Sequence, residues 1–434
     1  MRSKMVLSLL GVVLVVVFEL LTTAGHAFAA GKEKVLYTFC SVSNCTDGVS
    51  PFGPLVFDRS GNLYGTTEAG GTNSEGTVFK LTPSSNGTWK ETVLYSFQNN
   101  GQDGFSPYSG VTFDEKGNLY GTTFFGGSSE ECGIGVGCGI VFELTPGSSG
   151  TWTETVLYRF QNNGQDGAGP YAGLIIDKKG NLYGTTIFGG HVESGCHIGC
   201  GTVFELTPGS NGTWTETILH AFDSADGAYP WAGLIFDTAG DLYGTTNTGN
   251  HPGNVFRLKS NADGKWTEKV LHAFHSGNGD DGYEPVAPVI FDAAGNLYGT
   301  AFNSNGGPGG TVFKLTHATW REEVLFSFPT SGRDGSEPGG GVIFDAKGNL
   351  YGTAETGGTY GSNCDGGCGT VFELKHANWA PEVLYKFTGG SDGGSPQTGL
   401  VVDAKGNLYG TAVNGGGGSG CSCGVVFEIT PSVK

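Results

Sequence analysis

Gly61-Asn62-Leu63-Tyr64-Gly65 is the stretch that decides the fold, because the chain repeats it along its whole length. Further copies begin at Gly117, Gly180, Gly295, Gly348 and Gly406, and a copy at Gly240 carries Asp241 in place of asparagine. Consecutive tyrosines of the motif are 53 to 63 residues apart. A repeat of this length is one supersecondary unit that cannot bury its own apolar faces, so the sequence predicts an array of packed repeats.

Four strand-like runs make up each repeat. In the first repeat they are residues 55–58, which end in Asp58, the motif-bearing residues 62–67, residues 78–81, and a run from Trp89 to Phe97. Short β-rich runs separated by Gly, Asn and Asp turns are typical of antiparallel meanders. Seven such units predict an all-β, seven-bladed β-propeller with four antiparallel strands per blade, and an open β-solenoid is the alternative.

The two ends of the chain favour a closed ring. Val35-Leu36-Tyr37 is a fourth-type run that precedes the first copy of the motif, while the chain stops after the third-type run that ends at Ile429. We therefore expect the N-terminal strand to complete the last blade. Residues 30–434 are interpreted as a single propeller domain.

The Gly-Asn-Leu-Tyr-Gly-Thr segment, followed downstream by a Val-Phe-x-Leu run, resembles the Gloeo/Verruco (GloVer) tandem repeat of exported bacterial proteins. The resemblance covers all seven units and implies a propeller-like fold and export, but no established biochemical activity. More loosely, Asp-x-x-Gly-Asn-Leu-Tyr is similar to the first two strands of NHL-type propeller blades. That similarity implies that the strand ending in aspartate is innermost and the tryptophan-bearing strand is outermost.

Composition narrows the class of partner. The formal net charge is -18, and no basic stripe is present that could neutralise phosphates, so no nucleic-acid partner is expected. The chain has 79 glycines, yet 12% of its residues are aromatic, which favours a glycine-turned β protein over a disordered chain.

Residues 1–29 have the features of a signal peptide. Arg2 and Lys4 precede an apolar run over residues 6–17, and Ala27-Phe28-Ala29 fits a small-x-small cleavage site. The alternative is an uncleaved anchor helix. With cleavage, the sequence predicts a secreted protein, extracellular or periplasmic, that has no later membrane span; we expect a monomer.

The ten cysteines fall in tight pairs, which suits an oxidising compartment. The pairs are Cys40/Cys45, Cys132/Cys138, Cys196/Cys200, Cys364/Cys368 and Cys421/Cys423. Zinc is the competing interpretation, because His191 and His197 lie near the third pair. A bond across the single residue between Cys421 and Cys423 would be strained, so we predict that Cys40 and Cys45 pair with these two, with Cys40–Cys423 favoured.

Two sevenfold sets of acids are interpreted as turn residues. The first ends the inner strand: Asp58, Asp114, Asp177, Asp237, Asp292, Asp345 and Asp403. The second opens an Asp-Gly-x-x-Pro loop: Asp47, Asp103, Asp166, Asp226, Asp281, Asp334 and Asp392. Asx hydrogen bonds explain the first set better than a catalytic ring does. Calcium would suit the second chemically, but each copy offers few ligands, so no cofactor or metal-binding residue is assigned.

The candidate ligand site is the position directly after the loop proline. Four consecutive blades have an aromatic residue there, Phe52, Tyr108, Tyr171 and Trp231, whereas the other three have Val286, Gly339 and Gln397. Such a crescent would be a stacking platform for a sugar or another flat ligand; packing beneath the loops is the alternative. The loops expected on the same face carry further candidates: Phe124, Phe125, Phe188, His191, His197, His251, Glu355 and Asn414.

Short catalytic signatures such as His-Glu-x-x-His or a phosphate-binding loop do not occur in the sequence. The leading hypothesis is a secreted binding propeller that uses the loop face to hold a glycan or another cell-envelope ligand. The alternatives are a polysaccharide-directed hydrolase or lyase on the same fold, and a purely structural envelope protein.

Overall fold

The computed structural model describes residues 31–432, with gaps at 129, 131, 162, 276–280, 305–306, 330–331, 362–363, 365 and 418–421. The predicted signal peptide lies outside these residues. Seven four-stranded antiparallel sheets form blades 1 to 7 of a propeller, which confirms the predicted fold class. In each blade the strands follow one another from the first, innermost strand to the fourth, outermost one.

The strand bounds repeat closely from blade to blade. The first strands are Val56–Phe57, Thr112–Phe113, Ile175–Ile176, Ile235–Phe236, Ile290–Phe291, Ile343–Phe344 and Val401–Val402. The second strands are Leu63–Thr67, Leu119–Thr123, Leu182–Thr186, Leu242–Thr246, Leu297–Ser304, Leu350–Ala354 and Leu408–Ala412. The third strands are Thr77–Pro83, Ile140–Pro146, Thr202–Pro208, Asn254–Ser260, Gly307–Thr316, Thr370–Lys375 and Val425–Thr430. The fourth strands are Trp89–Ser96, Trp152–Arg159, Trp214–Ala221, Trp266–Ala273, Arg321–Ser327, Ala380–Lys386 and Lys32–Thr38.

Short pieces complete the secondary structure of the described residues. Gly104–Phe105 pairs with Phe125–Gly126, and Gly167–Ala168 pairs with Phe188–Gly189. A 3-10 turn spans Ser43–Cys45.

The N-terminal strand closes the ring, as predicted. Lys32–Thr38 pairs antiparallel with Val425–Thr430, with Val35 opposite Phe427 and Thr38 opposite Val425. Blade 7 therefore gains its fourth strand from the opposite end of the chain, and the two ends are tied by a backbone ladder.

The second glycine of the motif is required by a close approach of two strands. Gly65 lies under the ring of Phe79 on the paired third strand, and an added Cβ would lie 2.7 Å from the Phe79 Cζ atom. All seven blades repeat this contact, and the phenylalanines are fully or almost fully buried. Gly61 has a different reason: its φ of +81° closes the turn between the first two strands.

Neighbouring blades are joined by buried hydrogen bonds from the threonine that follows the motif. Thr66 Oγ1 donates to the carbonyl of Ser109 in the next blade at 2.7 Å, and Thr185 Oγ1 donates to the carbonyl of Ala232 at 3.0 Å. The same bond occurs at four further boundaries. A residue of the repeat thus also positions the inner segment of the next blade.

Among the described residues, disulfides rather than zinc hold four of the cysteine pairs, but the predicted pairing at the termini is wrong. The bonds are Cys40–Cys45, Cys132–Cys138, Cys196–Cys200 and Cys364–Cys368. The turn at Ser43–Cys45 folds Cys45 back onto Cys40, so this pair closes within its own loop. The predicted approach of the termini is present, because the sulfur atoms of Cys40, Cys45 and Cys423 lie within 4.8 Å of one another. Cys421 lies outside the described residues.

Four disulfides fit an extracellular or periplasmic environment. Within the described part of the chain, no helix has the length and apolar character needed to cross a bilayer.

Candidate functional site

A cavity of about 660 Å³ opens where the inner segments of all seven blades meet. Each blade contributes the residues between the proline of the Asp-Gly-x-x-Pro loop and its first strand, such as Tyr171–Ile175 of blade 3 and Trp231–Leu234 of blade 4. The first strands are therefore innermost. The loops after the second strands reach the same face, because backbone bridges join Val49 to Ala69 and Ala228 to Thr248.

One wall of the cavity is the predicted aromatic crescent. The rings of Phe52 and Tyr108 are 5.2 Å apart edge to face, those of Tyr108 and Tyr171 stack at 5.0 Å, and those of Tyr171 and Trp231 are tilted at 5.0 Å. Phe52, Tyr108 and Tyr171 are partly buried, whereas Trp231 is 37% exposed. The structure thus brings all four residues together in one continuous wall, and Trp231 offers the most accessible face.

The opposite wall is polar and carries carboxylates. Glu355 accepts a hydrogen bond from Gln397 Nε2 at 2.6 Å, and Glu284 accepts one from Asn303 Nδ2 at 2.6 Å. Gly339 takes the crescent position between them and leaves room beside these side chains. The three blades that lack an aromatic residue at the crescent position therefore provide hydrogen-bonding groups.

Electrostatics link the two walls. Burial raises the pKa of Glu355; the hydrogen bond from Gln397 opposes this rise, and the charge of Glu337 adds to it. Burial also raises the pKa of Tyr171, and Tyr108, Glu68 and Glu355 raise it further, so the phenol stays protonated.

Two further positions of the repeat complete the lining. The residue before the loop proline has positive φ in every blade, and in blade 5 it is Glu284, with φ of +59°. Its carbonyl accepts a bond from the backbone nitrogen of Phe302, the residue that follows the Leu-Tyr-Gly-Thr-Ala run of this blade. The equivalents of Phe302 in blades 4 and 6 are Asn247 and Glu355, which also line the cavity. Comparing these two positions across the repeats would have identified Glu284, Asn247 and Phe302 as candidates for the cavity lining.

The other loop candidates lie outside the lining of this cavity. Phe124 supports the crescent from behind, 5.5 Å from Tyr108 and 6.1 Å from Tyr171. Phe125 stacks on Phe105, and Phe188 packs on Tyr229.

Polar loop candidates are also placed away from the cavity. His191 and His197 are exposed, and the His251 ring lies 5.6 Å from the His275 ring. Asn414 donates to Ser395 Oγ. Among the histidines, none lines the described part of the cavity.

The inner-strand aspartates hold hairpins at the far end of the first strand. Asp58 Oδ1 accepts bonds from the backbone nitrogens of Ser60 and Asn62, and Oδ2 accepts from Asn62 Nδ2 and the Tyr64 hydroxyl. Burial acts to raise the pKa of Asp58, but these hydrogen bonds outweigh it and hold the pKa below its usual value. The carboxylate is thus used within its own turn.

Asp-Gly-x-x-Pro aspartates anchor the fourth strand to the loop. Asp103 Oδ2 accepts bonds from the Tyr95 hydroxyl at 2.8 Å and from the Gln98 backbone nitrogen, while Oδ1 accepts from the Gly104 nitrogen. Both oxygens of Asp103 are therefore engaged in the turn.

Comparisons with known proteins agree with this architecture. The sequence pattern of a family described as the Gloeobacter/Verrucomicrobia repeat matches residues 16–256, 86–307 and 250–434. No curated protein matches the chain.

The chain is also similar to solved structures. One is a novel fungal alcohol oxidase of the AA5 family in complex with copper, with 16% identity, a TM-score of 0.56, and coverage of 93% of this chain and 76% of that chain. Another is the periplasmic gluconolactonase of Pseudomonas aeruginosa, with 14% identity, a TM-score of 0.47, and coverage of 78% of this chain and 84% of that chain. At these identities the likeness concerns the fold alone.

Proposed function

The chain belongs to the Gloeobacter/Verrucomicrobia repeat family, and we propose that it binds a carbohydrate in the cavity where the inner segments of the seven blades meet. The observation that carries this proposal is the pairing of an aromatic wall, Tyr108, Tyr171 and Trp231, with a carboxylate and amide wall, Glu355 and Gln397, around one cavity. Sugar rings present apolar C–H faces and polar hydroxyl edges, so they need both kinds of wall.

The volume and the charge of the cavity limit the class of ligand that it can hold. A volume of about 660 Å³ lies within the range of roughly 300–1,000 Å³ that is usual for small-ligand sites. The exposed face of Trp231 is available for stacking, while Glu284 and Glu355 can accept bonds from hydroxyl groups. Two carboxylates disfavour anionic ligands, so the proposal is for a neutral sugar rather than a uronic acid or a sugar phosphate.

The site of action is proposed to be outside the cytoplasm. The signal-peptide features of residues 1–29 and the four disulfides support export. The ligand would then be a glycan of the cell envelope or the surroundings.

Hydrolysis or lyase activity on the same sugar is the second candidate, and Glu355 favours it. Burial raises the pKa of this carboxyl, as is typical of a general acid, and a second carboxyl, Glu284, lies in the same cavity. Copper chemistry like that of the fungal oxidase is not proposed. Copper prefers imidazole and thiolate ligands, and the described lining contains neither.

A glycan array followed by calorimetric titration of the best ligand tests the proposal. Trp231→Ala should weaken binding by about 0.5–1.5 kcal/mol beyond the loss of contact area and leave the melting temperature nearly unchanged, because the ring is exposed. Tyr360→Ala is the matched control: this ring is 63% exposed and lies outside the cavity lining. Glu355→Gln separates the two candidates, since binding with loss of turnover would support catalysis. Equal affinity of wild type and Trp231→Ala would refute the proposed site.

A further inference from the structure

Among the described residues, six boundaries between blades have a polar cluster on the outer strands, away from the central cavity. In four blades, a tyrosine of the fourth strand donates to the aspartate of the following Asp-Gly-x-x-Pro loop: Tyr37 to Asp47, Tyr95 to Asp103, Tyr158 to Asp166 and Tyr385 to Asp392. A glutamate from the fourth strand of the next blade interacts electrostatically with the same aspartate. For example, the charge of Asp103 adds to the effect of burial in raising the pKa of Glu154. The cluster is thus a repeated tyrosine–aspartate–glutamate unit.

Blade 4 replaces the tyrosine with His272, and the hydrogen bond is lost. His272 Nε2, a carboxylate oxygen of Asp281 and one of Glu322 all lie within 4.8 Å of one another. The contact between His272 Nε2 and Glu322 Oε2 is 3.6 Å, which is too long for a hydrogen bond. His272 and Asp281 flank the end of blade 4, whereas Glu322 belongs to blade 5.

Three atoms of this cluster are buried without a partner: His272 Nε2, Asp281 Oδ1 and Glu322 Oε1. The side chains are only 16%, 17% and 11% exposed. Buried polar atoms that lack partners are costly, and one common partner would satisfy all three of these atoms. In the cluster after blade 3 the histidine does have a partner, because His220 Nε2 lies 2.9 Å from Asp226 Oδ2.

We propose that His272, Asp281 and Glu322 form a binding site for a first-row divalent cation, with zinc as the reference ion. One imidazole nitrogen and two carboxylates are a donor set that zinc accepts, and two carboxylates balance its charge. The backbone nitrogen of His275 donates to Asp281 Oδ2 at 3.2 Å, which orients that carboxylate and leaves Oδ1 for the ion.

The ion would cross-link two blades. Asp281 and His272 come from one side of the boundary and Glu322 from the other, so binding holds the blades together as the tyrosine bond and buried glutamate do elsewhere. Three protein ligands leave a fourth position for water.

The test uses the mature protein, stripped with a chelator, reloaded with zinc chloride and dialysed. Metal analysis should find one zinc per chain, and zinc should raise the melting temperature. His272→Tyr restores the residue of the four tyrosine-bearing blades, so the variant should fold, yet it should lose both the zinc and the shift in melting temperature. Glu322→Gln should also lose the zinc.

His220→Tyr is the matched control, because it makes the same change where the histidine is already bonded to its aspartate. This variant should keep the zinc and its effect on melting. Zinc retained by His272→Tyr would place the ion at other surface histidines and overturn the proposal. A wild-type protein that retains no zinc after dialysis would overturn it as well.

Discussion

Replacing Glu216 with glutamine should make the protein more stable in alkaline solution. Glu216 on the fourth strand of blade 3 is partly buried, and its Oε1 atom has no hydrogen-bond partner. Burial, and then the negative charge of Asp166, raise the pKa of Glu216 to about 8. Asp166 is itself fixed by bonds from the Tyr158 hydroxyl and the Gln161 nitrogen, so it cannot turn away.

The sign of the effect follows from the direction of this pKa change. The folded state raises the pKa from 4.5 to about 8, so the protonated acid is favoured and no stability is lost below pH 4.5. Between pH 4.5 and 8 the unfolded chain ionises while the folded protein keeps the proton, so stability falls across this range; above pH 8 the folded protein carries the charge beside Asp166 and the loss is complete. The full rise in pKa corresponds to a limit of about 5 kcal/mol. Solvent screening of this partly exposed side chain reduces the limit to on the order of 1–2 kcal/mol.

Glutamine keeps the shape of the protonated acid and cannot ionise. Glu216→Gln should therefore match wild type at pH 5 and exceed it at pH 9 by about 1–2 kcal/mol, or a few degrees in melting temperature. Thermal melting at the two pH values, at one scan rate, measures this difference. Glu115→Gln, an exposed turn residue, is the control and should change neither curve.

Equal pH profiles for Glu216→Gln and wild type would refute the reasoning, as would a variant less stable than wild type at pH 9. The same unpartnered glutamate oxygen occurs at Glu33, Glu91, Glu154, Glu268 and Glu322. Combining Glu91→Gln, Glu154→Gln and Glu216→Gln should add the separate effects, because these sites lie at different blade boundaries.

Two further predictions concern the ring itself. Gly65→Ala should lower the stability of the protein by about 1–3 kcal/mol, because its methyl group would meet the Phe79 ring at 2.7 Å. Gly233→Ala is the control, because the atom nearest to its added methyl group is 3.5 Å away. Equal melting temperatures of the two variants would contradict the close-approach argument. Deleting residues 31–38 should expose the third strand of blade 7 and cause association through its unpaired edge, detectable by light scattering, whereas a monomeric variant with unchanged melting would show that closure contributes little.

Sequence alone determined the architecture of this protein. The motif at residues 61–65, its turn glycine and the alternation of strand and turn are local features, and each copy specifies the same four-stranded unit. A fourth-type strand at Val35 precedes the first repeat, and the last repeat has no such strand after Ile429. Counting the strands therefore predicted that the N-terminal strand closes the ring. The crescent was predictable for the same reason, because Phe52, Tyr108, Tyr171 and Trp231 occupy one position of the repeat and a ring brings equivalent positions together.

Tertiary structure decided the features that depend on residues from different blades. Glu355 and Gln397 are 42 residues apart, and only the ring places them opposite the aromatic wall. The pairing of Cys40 with Cys45 depends on how one loop folds back, which strand counting does not report. The cluster of His272, Asp281 and Glu322 likewise joins two blades. A repeat fixes its own hydrogen bonds and packing, whereas the chemistry between repeats depends on distances that exist only after the ring has closed.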